Sequence, residues 1–447
     1  MIRATLAVFL LISVSLPGSA GSGLSAPQVE SAVRDAASEG EVWPGYDPLA
    51  IPLAVFDGTE TYLFRHPAPP DEFAERDGAH VFAGRHPGVV ANSSARIGEL
   101  ATATVWLETL PEGSTPRDCA ALVFHEGFHV FQGTTGRRWG GDESQLFVYP
   151  VDDDGLLALR RLETEALRRA FEAEDDAAAA DWARVALGVR RERFGRMDDA
   201  FVAYERGIET LEGTATYIEY RAAGRASPGF PAVGFGAEDV RSRAYTTGVA
   251  WALLLDRFAA GWQDGFGDDD GILLDTSVAG ALPAAEASPS RAFTAPERAE
   301  IERVAREDVR DVLRGRAERR EAFESSPGWR LIIEAGVTSP LWPQGFDPLN
   351  LTRVDGGVLH TRFLKLGNES GALEVMGGTV LTEEVGPHPI LNGILRMTLA
   401  GLDEEPAVET DGERVTVAIP TLKAEFSGAR VEREGARVTI RLPSGEE

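Results

Sequence analysis

The spacing of apolar positions changes character along the chain. A short helical pattern at Gln28–Ala37 gives way, over 41–110, to brief runs bounded by turn residues. Ile51–Phe56 and Glu60–Phe64 flank Asp57-Gly58-Thr59, which predicts a hairpin, and His80–Phe82 and Ala101–Leu107 are further strand candidates. Ser114-Thr115-Pro116 then sets a capping hydroxyl before a proline in the first turn. That pairing predicts a helix running through Cys119 to Gln132 and ending near Gly133.

From 155 to 224 the period is helical. Leu156–Ala173, Ala177–Phe194 and Asp198–Ala223 are separated at Asp175-Asp176 and Gly195, and an apolar helix follows at Ala244–Phe258. The stretch 264–295 reads as loop with one short apolar piece, and Ala295-Pro296 opens a charged helix to about Phe323. Beyond about 345 the pattern turns to short runs: Gly357–Leu366, Ala372–Leu381, Ile394–Leu399, Arg414–Ile419 and Arg437–Leu442. The expected class is α+β: a strand-rich N-terminal part, a mostly helical part, then an antiparallel β domain folded as a sandwich or curled sheet. The expected division is 1–20, 27–345 and 346–447, with no internal repeat.

Composition narrows the function. A formal net charge of -27 argues against nucleic acid, whose binders cluster Lys and Arg to displace phosphate counterions, and against anionic lipid. Arg3, the apolar run Ala4–Leu16 and the small residues Pro17-Gly18-Ser19-Ala20 together read as an export leader, too short to span a bilayer. No later run is long enough to span, so the expectation is an exported protein, periplasmic or extracellular, free of the membrane once the leader is removed. Cys119 is the sole cysteine, so no internal disulfide can form, and its apolar surroundings suit packing. Asn92, Asn350 and Asn368 each begin an Asn-x-Ser/Thr sequon.

One segment carries chemistry. In His125-Glu126-Gly127-Phe128-His129, histidines at i and i+4 share a helix face, so their ring nitrogens can converge on one ion. Glu126 lies between them, placed to take a proton from a metal-held water. Val123, Phe124, Gly127, Phe128, Val130 and Phe131 are uncharged, as a helix buried behind a cleft requires. Zinc needs a third ligand. Glu205, Glu209 and Glu212 fall at i, i+4 and i+7, one acidic face.

The motif resembles that of the zincin metallopeptidases, and within them the gluzincins, whose third ligand is a glutamate on a later helix. Glu212-Gly213-Thr214-Ala215-Thr216-Tyr217 is similar to the Glu-Gly-x-Ala-x-Tyr segment of the M1-type enzymes. The resemblance implies a zincin-like catalytic domain, with zinc held by His125, His129 and Glu212 and with Glu126 as general base. Tyr245-Thr246-Thr247-Gly248 resembles the later Tyr-x-x-Gly segment, which implies that Tyr245 donates to the oxyanion. Two departures stand out: His129 and Glu212 are farther apart than in that family, and its Gly-x-Met-Glu-Asn amine-binding motif is absent, so exopeptidase action is not implied.

Glu209 is at best a partner steering a histidine, and Asn92–Glu108 a candidate edge strand for an extended peptide. Asp152-Asp153-Asp154 and Asp268-Asp269-Asp270-Gly271 could hold calcium but lack EF-hand spacing, so solvated turns are the plainer reading. The expected function is zinc-dependent peptide hydrolysis, with a peptide or protein as substrate. The alternatives are a zinc hydrolase of another amide or ester, and a non-catalytic exported binding protein with a structural or vestigial zinc site.

Overall fold

A computed structural model describes residues 23–232, 234–284, 291–346, 350–384 and 393–443. The expected leader, 1–20, lies outside the described residues. Among them, no helix is long and apolar enough to cross a membrane. Helices and mostly antiparallel sheets combine in an α+β chain with a strand-rich C-terminal region. The chain divides into two compact units, 1–143 with 154–305, and 144–153 with 306–447.

The first unit opens with α1 (Ala26–Ser38) and six strands: β1 (Leu53–Phe56), β2 (Glu60–Phe64), β3 (Ala74–Arg76), β4 (Ala79–Ala83), β5 (Ser93–Ile97) and β6 (Leu100–Trp106). Across the sheet they run β3-β4-β2-β1-β6-β5, with β1 and β6 parallel and the other neighbours antiparallel. Helices follow at α2 (Pro116–Gln132), α3 (Asp154–Glu172), α4 (Asp176–Phe194), α5 (Asp199–Ala223), α6 (Val240–Phe258) and α7 (Leu274–Ala281). The division between units falls inside α8 (Ala295–Glu324).

Helix α2 starts where the capping signal sits. The Thr115 hydroxyl accepts from the Asp118 N–H at 3.2 Å, and the Asp118 carboxylate accepts from the Thr115 N–H at 3.1 Å. Its apolar side drives into an aromatic cluster: the Phe128 ring lies 5.1 Å from Trp43 and 5.3 Å from Tyr46. The Tyr46 hydroxyl donates to the Phe124 carbonyl at 2.8 Å. A β-carbon on Gly127 would stand 2.6 Å from that hydroxyl, so the tyrosine requires a glycine between the two histidines.

A closer approach joins α5 to α6. A β-carbon on Gly213 would come within 2.4 Å of the Gly248 Cα, and one on Gly248 within 2.6 Å of the Glu209 carbonyl oxygen. The helices therefore cross backbone to backbone, which only paired glycines allow. Helix α6 begins at Val240, a turn earlier than the apolar pattern predicts, because Arg241 and Arg243 look like solvent-facing residues in sequence.

The second unit holds β7 (Trp329–Glu334), β8 (Trp342–Phe346), β9 (Leu351–Val354), β10 (Gly357–His360), β11 (Phe363–Asn368), β12 (Gly371–Met376) and β13 (Val380–Glu384). It continues with β14 (Ile394–Leu402), β15 (Val408–Asp411), β16 (Arg414–Ile419), β17 (Leu422–Ser427), β18 (Arg430–Glu434) and β19 (Arg437–Arg441). Two sheets form, β18-β19-β7-β14-β13-β10-β9 and β15-β16-β17-β12-β11-β8. They share one core, in which Leu331, Met397 and Ile440 of the first meet Leu366, Val417 and Phe426 of the second. The runs 357–366 and 372–381, each read as one strand, are each two strands in different sheets. The chain changes sheets at Thr361-Arg362 and again at Gly377, whose φ of 71° turns it.

The glycine crossing yields a test. Gly213→Ala should lower unfolding free energy by about 1–3 kcal/mol, since the added methyl meets backbone that cannot yield. Gly188→Ala, on α4 with open space around it, should raise it by about 0.5–1 kcal/mol. Urea denaturation of the two variants measures both; equal midpoints would contradict the close crossing.

Candidate metal centre

Histidines four apart on α2 and a glutamate on α5 meet at one point. His125 Nε2 and His129 Nε2 are 3.2 Å apart, and Glu212 Oε2 lies 3.2 Å from His129 Nε2 and 3.7 Å from His125 Nε2. Those are the separations of donor atoms sharing one ion through bonds about 2 Å long. One oxygen of Glu126 lies with a ring nitrogen of each histidine in a group whose members are all within 4.8 Å of one another. His125, Glu126 and Glu212 are buried; the His129 side chain keeps 15% of its surface exposed and marks the open side.

His129 is oriented by its other nitrogen. His129 Nδ1 lies 2.7 Å from Gln132 Oε1, and the Gln132 amide donates to the Leu211 carbonyl at 2.9 Å and to the Thr214 hydroxyl at 3.0 Å. With the amide held this way, Nδ1 of His129 is the donor and Nε2 carries the lone pair. On the other histidine, Glu219 Oε2 stands 3.4 Å from His125 Nδ1. Glu219 was not singled out in the sequence, although it follows Glu212 by two helical turns on the same face.

Two ring nitrogens and a carboxylate oxygen converge on one buried point, and with both imidazoles neutral a cation there would satisfy all three. Glu212 Oε2 has no hydrogen-bond donor, so the fit to a divalent ion rests on a buried, unsatisfied ligand atom as well as on spacing. The carboxylates make the pocket attractive to positive charge, whether a proton on an imidazole or a metal ion. Burial opposes the charge on His125, but the Glu212 and Glu219 carboxylates outweigh it and hold its pKa up at about 10. Burial likewise opposes the charge on Glu212, yet the two histidines and Arg241 hold it well below the ordinary carboxylate value. Glu126 goes the other way: burial raises its pKa against the pull of the histidines. Two nitrogens and one oxygen suit zinc.

Tyr245 stands beside this group on α6. Its ring lies parallel to that of His125 with centroids 6.3 Å apart, and its hydroxyl accepts from Arg241. Burial raises the Tyr245 pKa, so the hydroxyl keeps its proton.

Glu205 and Glu209 do something else. Both are buried rather than solvated. Glu209 accepts from Arg190 and from the Thr247 hydroxyl at 2.7 Å, so it ties α4 to α6 and does not steer a histidine. Arg190 also meets Glu163 at 2.8 Å and Asp275 at 2.9 Å, while Arg193 joins Glu163 at 2.7 Å to Glu205 at 2.5 Å. Buried arginines gave no warning in the sequence, where charge reads as surface.

The remaining candidates have structural duties. The Asn92 amide is buried and holds the Thr109 hydroxyl and the Trp106 N–H. Asp269 accepts from the Gly271 N–H at 2.7 Å, a turn bond, and Asp270 accepts from the Arg138 N–H at 2.6 Å, which ties its loop to the stretch after α2. Burial pushes the Cys119 thiol up to about 12, away from nucleophilic use. Comparison with known protein families, with curated proteins and with solved structures finds no match.

The ion cluster behind the site predicts acid sensitivity. Burial opposes ionisation of Glu205 and Glu163, but Arg193 and Arg243 prevail and hold Glu205 at about 2 and Glu163 lower still. An unfolded glutamate titrates near 4.3, so on acidification the unfolded chain takes up protons first. This stabilisation is whole above about pH 5 and is lost as pH falls toward 2. Urea midpoints should therefore drop steeply below pH 4, and more gently in Glu205→Gln. A midpoint at pH 3 equal to that at pH 7 would refute it.

Proposed function

We propose that the chain is a zinc-dependent peptidase of the gluzincin type, with a zincin-like catalytic unit. The observation that carries this reading is the convergence of His125 Nε2, His129 Nε2 and Glu212 Oε2 beside the buried carboxylate of Glu126. A purely structural site has no use for that extra carboxylate. Zinc bound there supplies Lewis-acid polarisation of a carbonyl and makes a water acidic enough to lose its proton near neutrality.

The side chains do the rest. Gln132 holds the His129 imidazole so that its Nε2 faces the ion, and the Glu219 carboxylate stands beside Nδ1 of His125. Glu126 takes the proton of the attacking water and passes it to the leaving amine. Tyr245, protonated and half-buried, donates to the oxyanion of the tetrahedral intermediate.

A peptide is the substrate favoured over other amides and esters because of β5. It is the edge of its sheet, paired on one side by β6, and α2 packs against both strands. An extended peptide can add to such an edge through its own backbone, which a small ester cannot do.

Glu126→Gln should keep about one zinc per chain and lose hydrolysis by roughly 10²–10⁴-fold. Zinc content after gel filtration and mass spectrometry of a digested peptide library read the two halves. A wild-type chain that takes up no zinc, or a variant as active as wild type, would end the proposal. Zinc uptake with cleavage of amide or ester probes but of no peptide would move the substrate class.

A further inference from the structure

The roles assigned above leave Arg241 unused, yet it touches both Glu212 and Tyr245. Its Nη2 donates to Glu212 Oε1 at 2.7 Å, its Nη1 to the Tyr245 hydroxyl, and its Nε to Glu143 Oε1 at 3.2 Å. The side chain is 13% exposed, and Glu143 is itself held from the other side by the Tyr204 hydroxyl at 3.3 Å. One planar fork thus serves α5, α6 and the stretch after α2.

Two consequences follow from donor geometry. A carboxylate free to swing can offer a metal either oxygen or both. With Oε1 committed to a charged donor, only Oε2 faces the histidine nitrogens. A phenol whose oxygen accepts from a guanidinium keeps its own proton for an acceptor, a place that the Glu212 carboxylate beside it can fill until substrate arrives. Lysine cannot reproduce either effect, since a point charge does not reach three acceptors in one plane.

We propose that Arg241 is the positioning residue of this centre: it fixes Glu212 as a one-oxygen ligand and sets the Tyr245 hydroxyl as a donor toward substrate. Metal capture and oxyanion stabilisation then depend on the same guanidinium. The inference rests on the zinc peptidase reading and deepens it.

The test compares Arg241→Lys, Arg241→Gln and Tyr245→Phe in the full chain. Zinc affinity is read by competition with a chromophoric chelator, the coordination sphere by visible absorption of the cobalt(II)-loaded protein, and turnover at saturating zinc. Both Arg241 variants should bind zinc about 10–100-fold more weakly, whereas Tyr245→Phe stays within about twofold of wild type. In Arg241→Gln the freed Oε1 turns to the metal, the coordination number rises, and the cobalt bands lose intensity; Tyr245→Phe leaves them unchanged. At saturating zinc, kcat should fall in all three variants with KM nearly constant.

Melting curves check folding. Glu143→Gln, which loosens Arg241 without removing it, should shift the same readouts in the same direction and replaces Arg241→Gln if that variant does not fold. Wild-type zinc affinity and cobalt spectra in the Arg241 and Glu143 variants would overturn the inference while leaving the zinc reading intact. A wild-type chain that binds no zinc would instead overturn the reading beneath it. Zinc binding that depends on Arg241 without any peptide cleavage would overturn the tyrosine half alone.

Discussion

Everything at this centre depends on how closely α5 and α6 are allowed to cross. Gly213 and Gly248 remove the side chains that would hold the two backbones apart. The helix carrying Arg241 and Tyr245 can then lie against the helix carrying Glu212, close enough for direct hydrogen bonds between their side chains. The same contact sets Thr247 on Glu209, which joins the crossing to the ion cluster around Arg190. Without glycine at both positions, the ligand and its neighbours would stand on helices too far apart to share a guanidinium.

Helix α5 places three buried carboxylates on one face and gives each a different cationic partner. Glu205 faces Arg193, Glu209 faces Arg190, and Glu212 faces two imidazoles and Arg241. A buried carboxylate without a partner would be protonated or would unfold the region, so the pairing lets the row stay charged inside the protein. The last of the three differs in one respect. Its second oxygen is left without a donor, and that is the atom available for a metal.

Helix α2 was legible in the sequence because its capping residues, its missing charges and its two histidines all follow short-range rules. The flanking helices were legible for the same reason, through long runs of period 3.6. Strand β3 was not: Ala74–Arg76 is short, largely polar and lacks a clean alternation, and β5 was legible only within the longer edge-strand candidate Asn92–Glu108, without bounds of its own. The sheet changes inside 357–366 and 372–381 were hidden because each run stays apolar while crossing from one layer to the other. Arg241, Arg190 and Arg193 were invisible as interior groups, since nothing local distinguishes an arginine that pairs inside from one in water. Glu219 was within reach, because helical geometry puts it on the face of Glu212, but only a structure shows that an imidazole lies beside it.

Gln132 has a consequence for how this site can fail. Its amide is anchored on α5, through the Leu211 carbonyl and Thr214, and from there it dictates which nitrogen of His129 is free. Helix α5 therefore supplies one ligand and presets another that belongs to α2. Any slip between the two helices removes Glu212 and releases the His129 tautomer in the same movement. The proposed centre therefore depends on the register of α5 against α2 as much as on its own side chains.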